Sequence, residues 1–376
     1  MFAEKSLTWK RMEQSYADAL KVPFDITRDR YVIFSDLHLA DRVNGIDDFA
    51  RNEMIYCHAL QSYYDQDYHL VLNGDVEEGW EARPRKIRQA YRDSVYAMER
   101  KFADRGEPWH LRTWGNHDNI WSNPEKVRKH LWPELGEVKV YPGIRLGENI
   151  FIAHGHQGEI ISDSGAWISS QAIRFGWRWF QRLTRLTSAR AATNHLIRNE
   201  RAQKLYDWAS GNGKLLIAGH THKSMFGYLP EHNSLINHLK RLESNLHMNP
   251  NPFQAQATID HLKKTVAKGK RRRHSGADRL PCYFNSGSCV HTNGITAIEI
   301  DRGEIRLVRW RLVETSAESD ALGNEDGLLF TIKPRVLQRA NLAEVIAQIK
   351  LGSGRSTVQD SDGEEGKTAE DVSAAA

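Results

Sequence analysis

A chain of 376 residues, 40% apolar and 27% charged, has the composition of a soluble globular protein and length enough for one large core or two modest ones. Its three cysteines (Cys57, Cys282, Cys289) form no Cys-x-x-Cys pair, the opening Met1-Phe2-Ala3-Glu4-Lys5 is not signal-like, and no run approaches the ~20 apolar residues of a spanning helix; this excludes a disulfide framework and a membrane span and points to a cytoplasmic protein, with peripheral membrane contact left open. The formal charge of +4 is uneven: residues 352–376 hold six acids and two bases, so the remainder stands at +8, a sign that suits a phosphorylated substrate, nucleic acid or membrane surface.

Residues 1–30 carry Trp9, Met12, Tyr16 and Leu20 at helical spacing and predict an N-terminal amphipathic helix, then a connector through Pro23. Residues 31–35 read as a strand, 48–66 as a helix and His69 to Leu72 as a strand. Ile87, Tyr91, Val95 and Met98 recur at helical spacing within the charged stretch 83–103. Trp109 to Trp114 reads as a strand and Pro124 to His130 as a short helix. Strands follow at Lys139 to Tyr141 and Asn149 to Ala153, with Pro142-Gly143 as the turn between them. Later strands lie near Cys282 to Phe284, Ile295 to Ile300 and Ile305 to Trp310, and Asp301-Arg302-Gly303 joins the last two as a hairpin.

The domain map that results is an N-terminal helix over 1–30, a main domain over 31–315, a C-terminal extension over 316–351 and a disordered acidic tail over 352–376. Two helical insertions interrupt the main domain, at about 157–213 and 229–280. The first is rich in Trp and Arg (Trp167, Trp177-Arg178-Trp179-Phe180), and suggests a lid or membrane-contact surface. The second holds the basic run Lys268 to His274, read first as a solvated loop and otherwise as a contact for anionic lipid or nucleic acid.

Five apolar runs end in metal-binding side chains: Ser35-Asp36-Leu37-His38, Asn73-Gly74-Asp75, Gly115-Asn116-His117-Asp118, His154-Gly155-His156 and Gly219-His220-Thr221-His222. Strand–helix alternation over 31–220 argues an α/β layered domain, in which sites gather at the carboxyl ends of strands. Asp36, Asp75 and Asn116 offer oxygen, and His38, His154, His220 and His222 offer nitrogen. Without thiolates, this donor set suits Mn²⁺ first, with Fe²⁺ or Zn²⁺ as alternatives, rather than Ca²⁺. Seven groups exceed what one ion with an open position needs; with one bridging carboxylate they serve two ions about 3.5–4 Å apart, which clamp a phosphoryl group and turn a bridging water into an attacking hydroxide. His117 is placed to protonate the leaving oxygen, with Asp118 as its orienting neighbour. Asn116 would steady the phosphoryl oxygens, and Arg42, Arg83 and Arg85 follow motif strands closely enough to grip a phosphate. His156 reads as a loop residue outside the ligand set.

In this order the motifs resemble the calcineurin-like metallophosphoesterases over about 31–310. The resemblance implies a two-sheet β-sandwich flanked by helices, here with helical insertions, in place of a single layered sheet. By matching position it implies that Asp36, His38 and His222 hold one metal, that Asn116, His154 and His220 hold the other, that Asp75 bridges and that His117 is catalytic. Asn285-Ser286-Gly287-Ser288 resembles the closing motif of the family, set unusually far from the last histidine pair. Asp36-Leu37-His38-Leu39, Gly74-Asp75-Val76-Glu77-Glu78 and the insertion after His154-Gly155 are similar to the UDP-2,3-diacylglucosamine hydrolases, whereas His156 is more like a small phosphodiesterase branch. The expected activity is hydrolysis of a phosphodiester or diphosphate in a phosphorylated small molecule or lipid-linked substrate. A membrane-surface pyrophosphatase of the UDP-2,3-diacylglucosamine type, a nuclease, and a non-enzymatic anion-binding scaffold are the alternatives.

Overall fold

The computed structural model describes residues 7–42, 47–158, 201–227, 256, 259–260, 263, 280–315, 322–323 and 329–361. The strands are β1 (Leu20–Val22), β2 (Arg30–Phe34), β3 (His69–Asn73), β4 (His110–Thr113), β5 (Val140–Tyr141), β6 (Ile144–Leu146) and β7 (Ile150–Ile152). They continue with β8 (Leu215–Ala218), β9 (Tyr283–Asn285), β10 (Ile295–Asp301), β11 (Glu304–Glu314), β12 (Leu322–Gly323) and β13 (Leu329–Asn341). Two sheets result: eight strands in the order β12-β13-β11-β10-β2-β3-β4-β5, and five in the order β1-β6-β7-β8-β9.

Alternation along each strand divides the core. Ile33, Val71 and Leu111 of the larger sheet meet Phe151, Leu216 and Phe284 of the smaller in one buried cluster. Val32, Phe34, Leu70 and Leu72 point the other way and pack with Leu60, Tyr63 and Phe102. Both faces of β2 and β3 are therefore covered, which is why these parallel strands read as unbroken apolar runs. The covering helices include α1 (Leu7–Ala17) on one side and α2 (Glu53–Asp65), α3 (Pro84–Tyr91) and α4 (Ala97–Ala103) on the other. The helix expected over 83–103 forms, with a π-helical turn at Arg92–Tyr96 between α3 and α4.

The two-sheet architecture replaces the single layered sheet that alternation alone suggests. Pro142-Gly143 does not close a hairpin: β5 belongs to the larger sheet and the next strand, β6, to the smaller. A Cβ on Gly143 would sit 2.6 Å from the Phe151 ring, so only glycine fits where the chain crosses between sheets. The terminal boundaries also shift. Within the segment read as an N-terminal helix, β1 pairs in parallel with β6, so that segment is part of the sandwich. Within the C-terminal extension, β13 pairs with β11 along its length. The final helix, Leu342–Ser361, continues past Gly352, where composition suggested disorder, and anchors Leu342, Val345 and Ile349 in the core between the sheets. Most of both insertions, including Trp167 to Phe180 and Lys268 to His274, and the end of the acidic tail lie outside the described residues. Among the described residues no helix is long and apolar enough to cross a membrane.

Candidate metal centre

In the larger sheet β2, β3 and β4 run parallel, and in the smaller β7, β8 and β9 run parallel. The loops at their carboxyl ends carry the five motifs and the closing Asn285-Ser286-Gly287-Ser288. Five of the expected ligands have left-handed backbone: Asp36 (φ 54), His38 (φ 51), Asp75 (φ 51), His220 (φ 65) and His222 (φ 55). Non-glycine residues rarely adopt this region, and such strain gathers where function over-determines the backbone. The loops also press together. A Cβ on Gly74 would lie 2.6 Å from the His154 ring, and one on Gly115 would lie 2.2 Å from Asp75 Oδ1.

Among the described residues three sets of donor atoms lie close enough to hold an ion: Asp36, His38 and His222; Asp75, His154 and His220; and His38, Asp75 and His117, which links the first two. In the first, His222 Nε2 is 3.2 Å from Asp36 Oδ1 and 3.0 Å from His38 Nε2. In the second, Asp75, His154 and His220 offer ligand atoms within 4.8 Å of one another, with His154 Nε2 3.0 Å from Asp75 Oδ2. His38 Nε2 lies 4.0 Å from that same Asp75 oxygen. Asp75 thus stands between the groups, where a bridging ligand belongs. His154 Nε2 and Asn116 Oδ1 are buried and make no hydrogen bond, although the first is close to Asp75. Buried donor atoms without a hydrogen bond, one of them beside a carboxylate, are characteristic of a metal site, so the residues fit divalent ions.

Hydrogen bonds hold several of the expected ligands. His154 Nδ1 donates to Asn73 O at 2.8 Å, which leaves Nε2 as the nitrogen that could bind a metal. His38 Nδ1 donates to Glu78 Oε2 at 2.8 Å. Ser35 Oγ donates to Asp36 and meets Ser286 Oγ at 2.7 Å. Asn285 Nδ2 donates to Gly219 O at 2.6 Å, and Ser288 Oγ to Asp36 O at 3.2 Å. The closing motif therefore braces the ligand loops despite the long second insertion. Burial would raise the Asp36 carboxyl, but His222 and His38 hold it well below the ordinary carboxylate range. Burial opposes ionisation of Asp75 as well, and His154 and His117 overcome it. Both carboxylates are thus charged at neutral pH, as ligands must be.

His117 lies at the rim of this cluster. Its backbone N–H donates to Asp75 Oδ1 at 2.8 Å, and its Nδ1 donates to Glu78 Oε1 at 2.8 Å. Its Nε2 is not engaged by Glu78. Burial lowers the imidazole pKa, but Asp75 and Glu78 raise it overall. Glu78 is held down to about 2 against burial by hydrogen bonds from His117 and His38.

Asp118 does not take the orienting role expected of it. Its oxygens accept from Gly115 N at 2.6 Å and Val76 N at 2.8 Å, tying the loop after β4 to the loop after β3. Burial, reinforced by Asp75 and Glu77, raises its pKa to about 7. The orienting partner of His117 is Glu78. The three arginines are likewise elsewhere engaged or exposed. Arg42 pairs with Glu53 and lies over the Tyr91 ring, 4.5 Å from its centroid. Arg83 and Arg85 are exposed at the start of α3. The guanidinium beside the ligands is instead Arg201, with Nη1 3.3 Å from His220 Nε2, on the helical stretch 201–211. Sequence reasoning passed over Arg201 because it falls inside the first insertion. His156 packs near Trp114, ring centroids 4.9 Å apart.

The fold and donor set together define a divalent-metal centre carried by the converging strand ends of two sheets. A family model described as calcineurin-like phosphoesterase matches residues 30–224, more than half of the chain and a span that holds all seven expected ligands. The chain belongs to that family and is a metal-dependent phosphoester hydrolase. No curated protein matches the chain.

Proposed function

We propose that the protein hydrolyses a phosphodiester or diphosphate bond at a pair of divalent ions, with His117 as general acid. The observation that carries this reading is the sharing of Glu78. One oxygen accepts from the metal-ligand candidate His38 and the other from His117, and the two rings stand 4.7 Å apart. A proton donor is thereby fixed at one distance from the ion pair, which is what departure of an alkoxide from phosphorus needs.

Asp36, His38 and His222 would hold one ion, and Asn116, His154 and His220 the other, with Asp75 shared. Mn²⁺, Fe²⁺ or Zn²⁺ suits these donors. When bound, two such ions supply Lewis acidity to the phosphoryl oxygens and lower the pKa of a water. The protein's own part is positional. Arg201 and the Asn116 amide steady phosphoryl oxygens, and His117, charged through Glu78 and Asp75, delivers the proton from Nε2 to the leaving oxygen. The similarity to UDP-2,3-diacylglucosamine hydrolases draws on the stretch 74–78, and Glu78 in it serves any phosphoester. A lipid-linked diphosphate, with peripheral membrane contact, therefore stands beside other phosphorylated small molecules and nucleic acid as a substrate to be tried.

The test joins metal analysis to turnover of bis-p-nitrophenyl phosphate with Mn²⁺. About two ions per chain and measurable hydrolysis are expected, and Asp75→Ala should lose both, because it alone serves both groups. Metal bound without turnover of any phosphoester in a panel of cyclic nucleotides, single-stranded DNA and nucleoside diphosphate sugars would favour the anion-binding scaffold.

A further inference from the structure

The geometry points to Trp80 as a stacking platform for the leaving group, and to a substrate whose leaving group carries a flat aromatic base, as a nucleoside does. This rests on the reading of His117 as general acid. Trp80 is 50% exposed and, among the described residues, the one aromatic in the set of exposed large hydrophobic side chains; the others are Leu7, Met54, Leu312, Val336 and Leu351. Its ring lies on His117 with centroids 3.9 Å apart and planes inclined by 24°.

The stack is built into the loop. Gly79 N donates to His117 O at 3.1 Å, and a Cβ on Gly79 would lie 2.5 Å from that oxygen, so the two loops touch backbone to backbone. Glu78 then holds the His117 ring through Nδ1, while Trp80, two residues on, covers one of its faces. The indole covers one face of the imidazole and leaves half its surface to solvent.

The leaving oxygen must lie beside His117 Nε2, so whatever group that oxygen carries comes to rest along the indole. A planar ring continues a face-to-face stack. An acyl chain would gain contact there but no orientation. Every nucleobase has a π-face, and base–aromatic stacking tolerates any sequence. The charge of +8 outside the tail suits the phosphates of such a substrate.

The experiment compares wild type, Trp80→Ala and Trp80→Phe, each full-length and loaded with Mn²⁺, on a dinucleoside phosphate and on a glycerol phosphodiester of equal charge. Alongside, calorimetry in chelator measures binding of a nucleoside 5′-monophosphate and of ribose 5-phosphate. Trp80→Ala should raise KM for the dinucleoside phosphate about tenfold, with a several-fold smaller effect on the glycerol diester, and Trp80→Phe should recover most of the loss. The chelated wild type should prefer the nucleotide over ribose 5-phosphate, and Trp80→Ala should abolish that preference. The inference is overturned if Trp80→Ala lowers kcat equally on both diesters at constant KM, which would make Trp80 a prop for His117. It is also overturned if the variant keeps the base preference. Should wild type turn over no diester while the chelated protein still discriminates the base, the phosphodiester reading fails and the base platform stands.

Discussion

Glu78 holds two imidazoles at once, and the acid–base behaviour of the site follows from that sharing. Bound ions would offset the charge of Asp75, so Glu78 remains the chief support of the His117 imidazolium. A general acid must be protonated to act, and the pKa of His117 is raised. Activity should therefore persist above the ordinary histidine range and fall as pH rises through the raised value. In Glu78→Gln the neutral amide no longer favours the charged ring, so the alkaline limb of kcat/KM should move to lower pH. A pH–rate profile checks this, and an unmoved limb would assign that limb to another group. His117→Ala should lower kcat by about 10²–10⁴-fold while metal content stays at the wild-type level. Full activity in that variant would remove His117 from the mechanism.

The strand β4 and the loop after β3 show how the elements hold these residues. Arg112 is fully buried and donates through Nη2 to both oxygens of Glu77, each at 2.8 Å. Glu77 also accepts from Tyr96 Oη at 2.9 Å and Trp121 Nε1 at 2.8 Å. Its place between Asp75 and Glu78 means that this network sets the path of the loop that bears both. Arg112→Met would strand the Glu77 carboxylate, and breaking a buried pair costs about 3–5 kcal/mol. Urea unfolding should show a loss of that size, and a change below about 1 kcal/mol would mean that the pair contributes little. Neighbouring glutamates also mark the limit of what the chain alone disclosed. Glu77 and Glu78 look equivalent in sequence, and only the packed fold turns one to Arg112 and the other to His117. The clustering of the candidate ligands was legible because each motif is local: a few residues at the end of one apolar run come together in the fold. The hairpin at Arg302-Gly303 was legible for the same reason, and both residues have positive φ, 48 and 93, as a two-residue turn requires. The partition into two sheets was not. β1 and β6 have three residues each, too few for a period to emerge, and they pair with each other across more than a hundred residues of chain.

At the scale of the whole molecule the site depends on both sheets, and the sheets depend on segments that lie beyond the ligand motifs. β13 covers the edge of β11, and the helix after it places Leu342, Val345 and Ile349 between the sheets, in the cluster that also holds Ile33 and Leu216. Fully burying an aliphatic side chain of this kind contributes about 1.5–3 kcal/mol. Three of them together rival the net stability of about 5–15 kcal/mol typical of a domain. A chain cut after Glu314 keeps every expected ligand from Asp36 to His222, yet it bares the β11 edge and removes three side chains from the core between the sheets. The expected outcome is loss of a cooperative thermal transition and association through the exposed edge, seen by circular dichroism and light scattering. Metal binding should fall with it, since each ligand group draws on both sheets: Asp36 and His38 follow β2 while His222 follows β8, and Asp75 and Asn116 follow β3 and β4 while His154 and His220 follow β7 and β8. If the shortened chain melts within a few degrees of the full one and retains its metal, the C-terminal strand and helix are appendages and the sandwich up to Glu314 is self-sufficient.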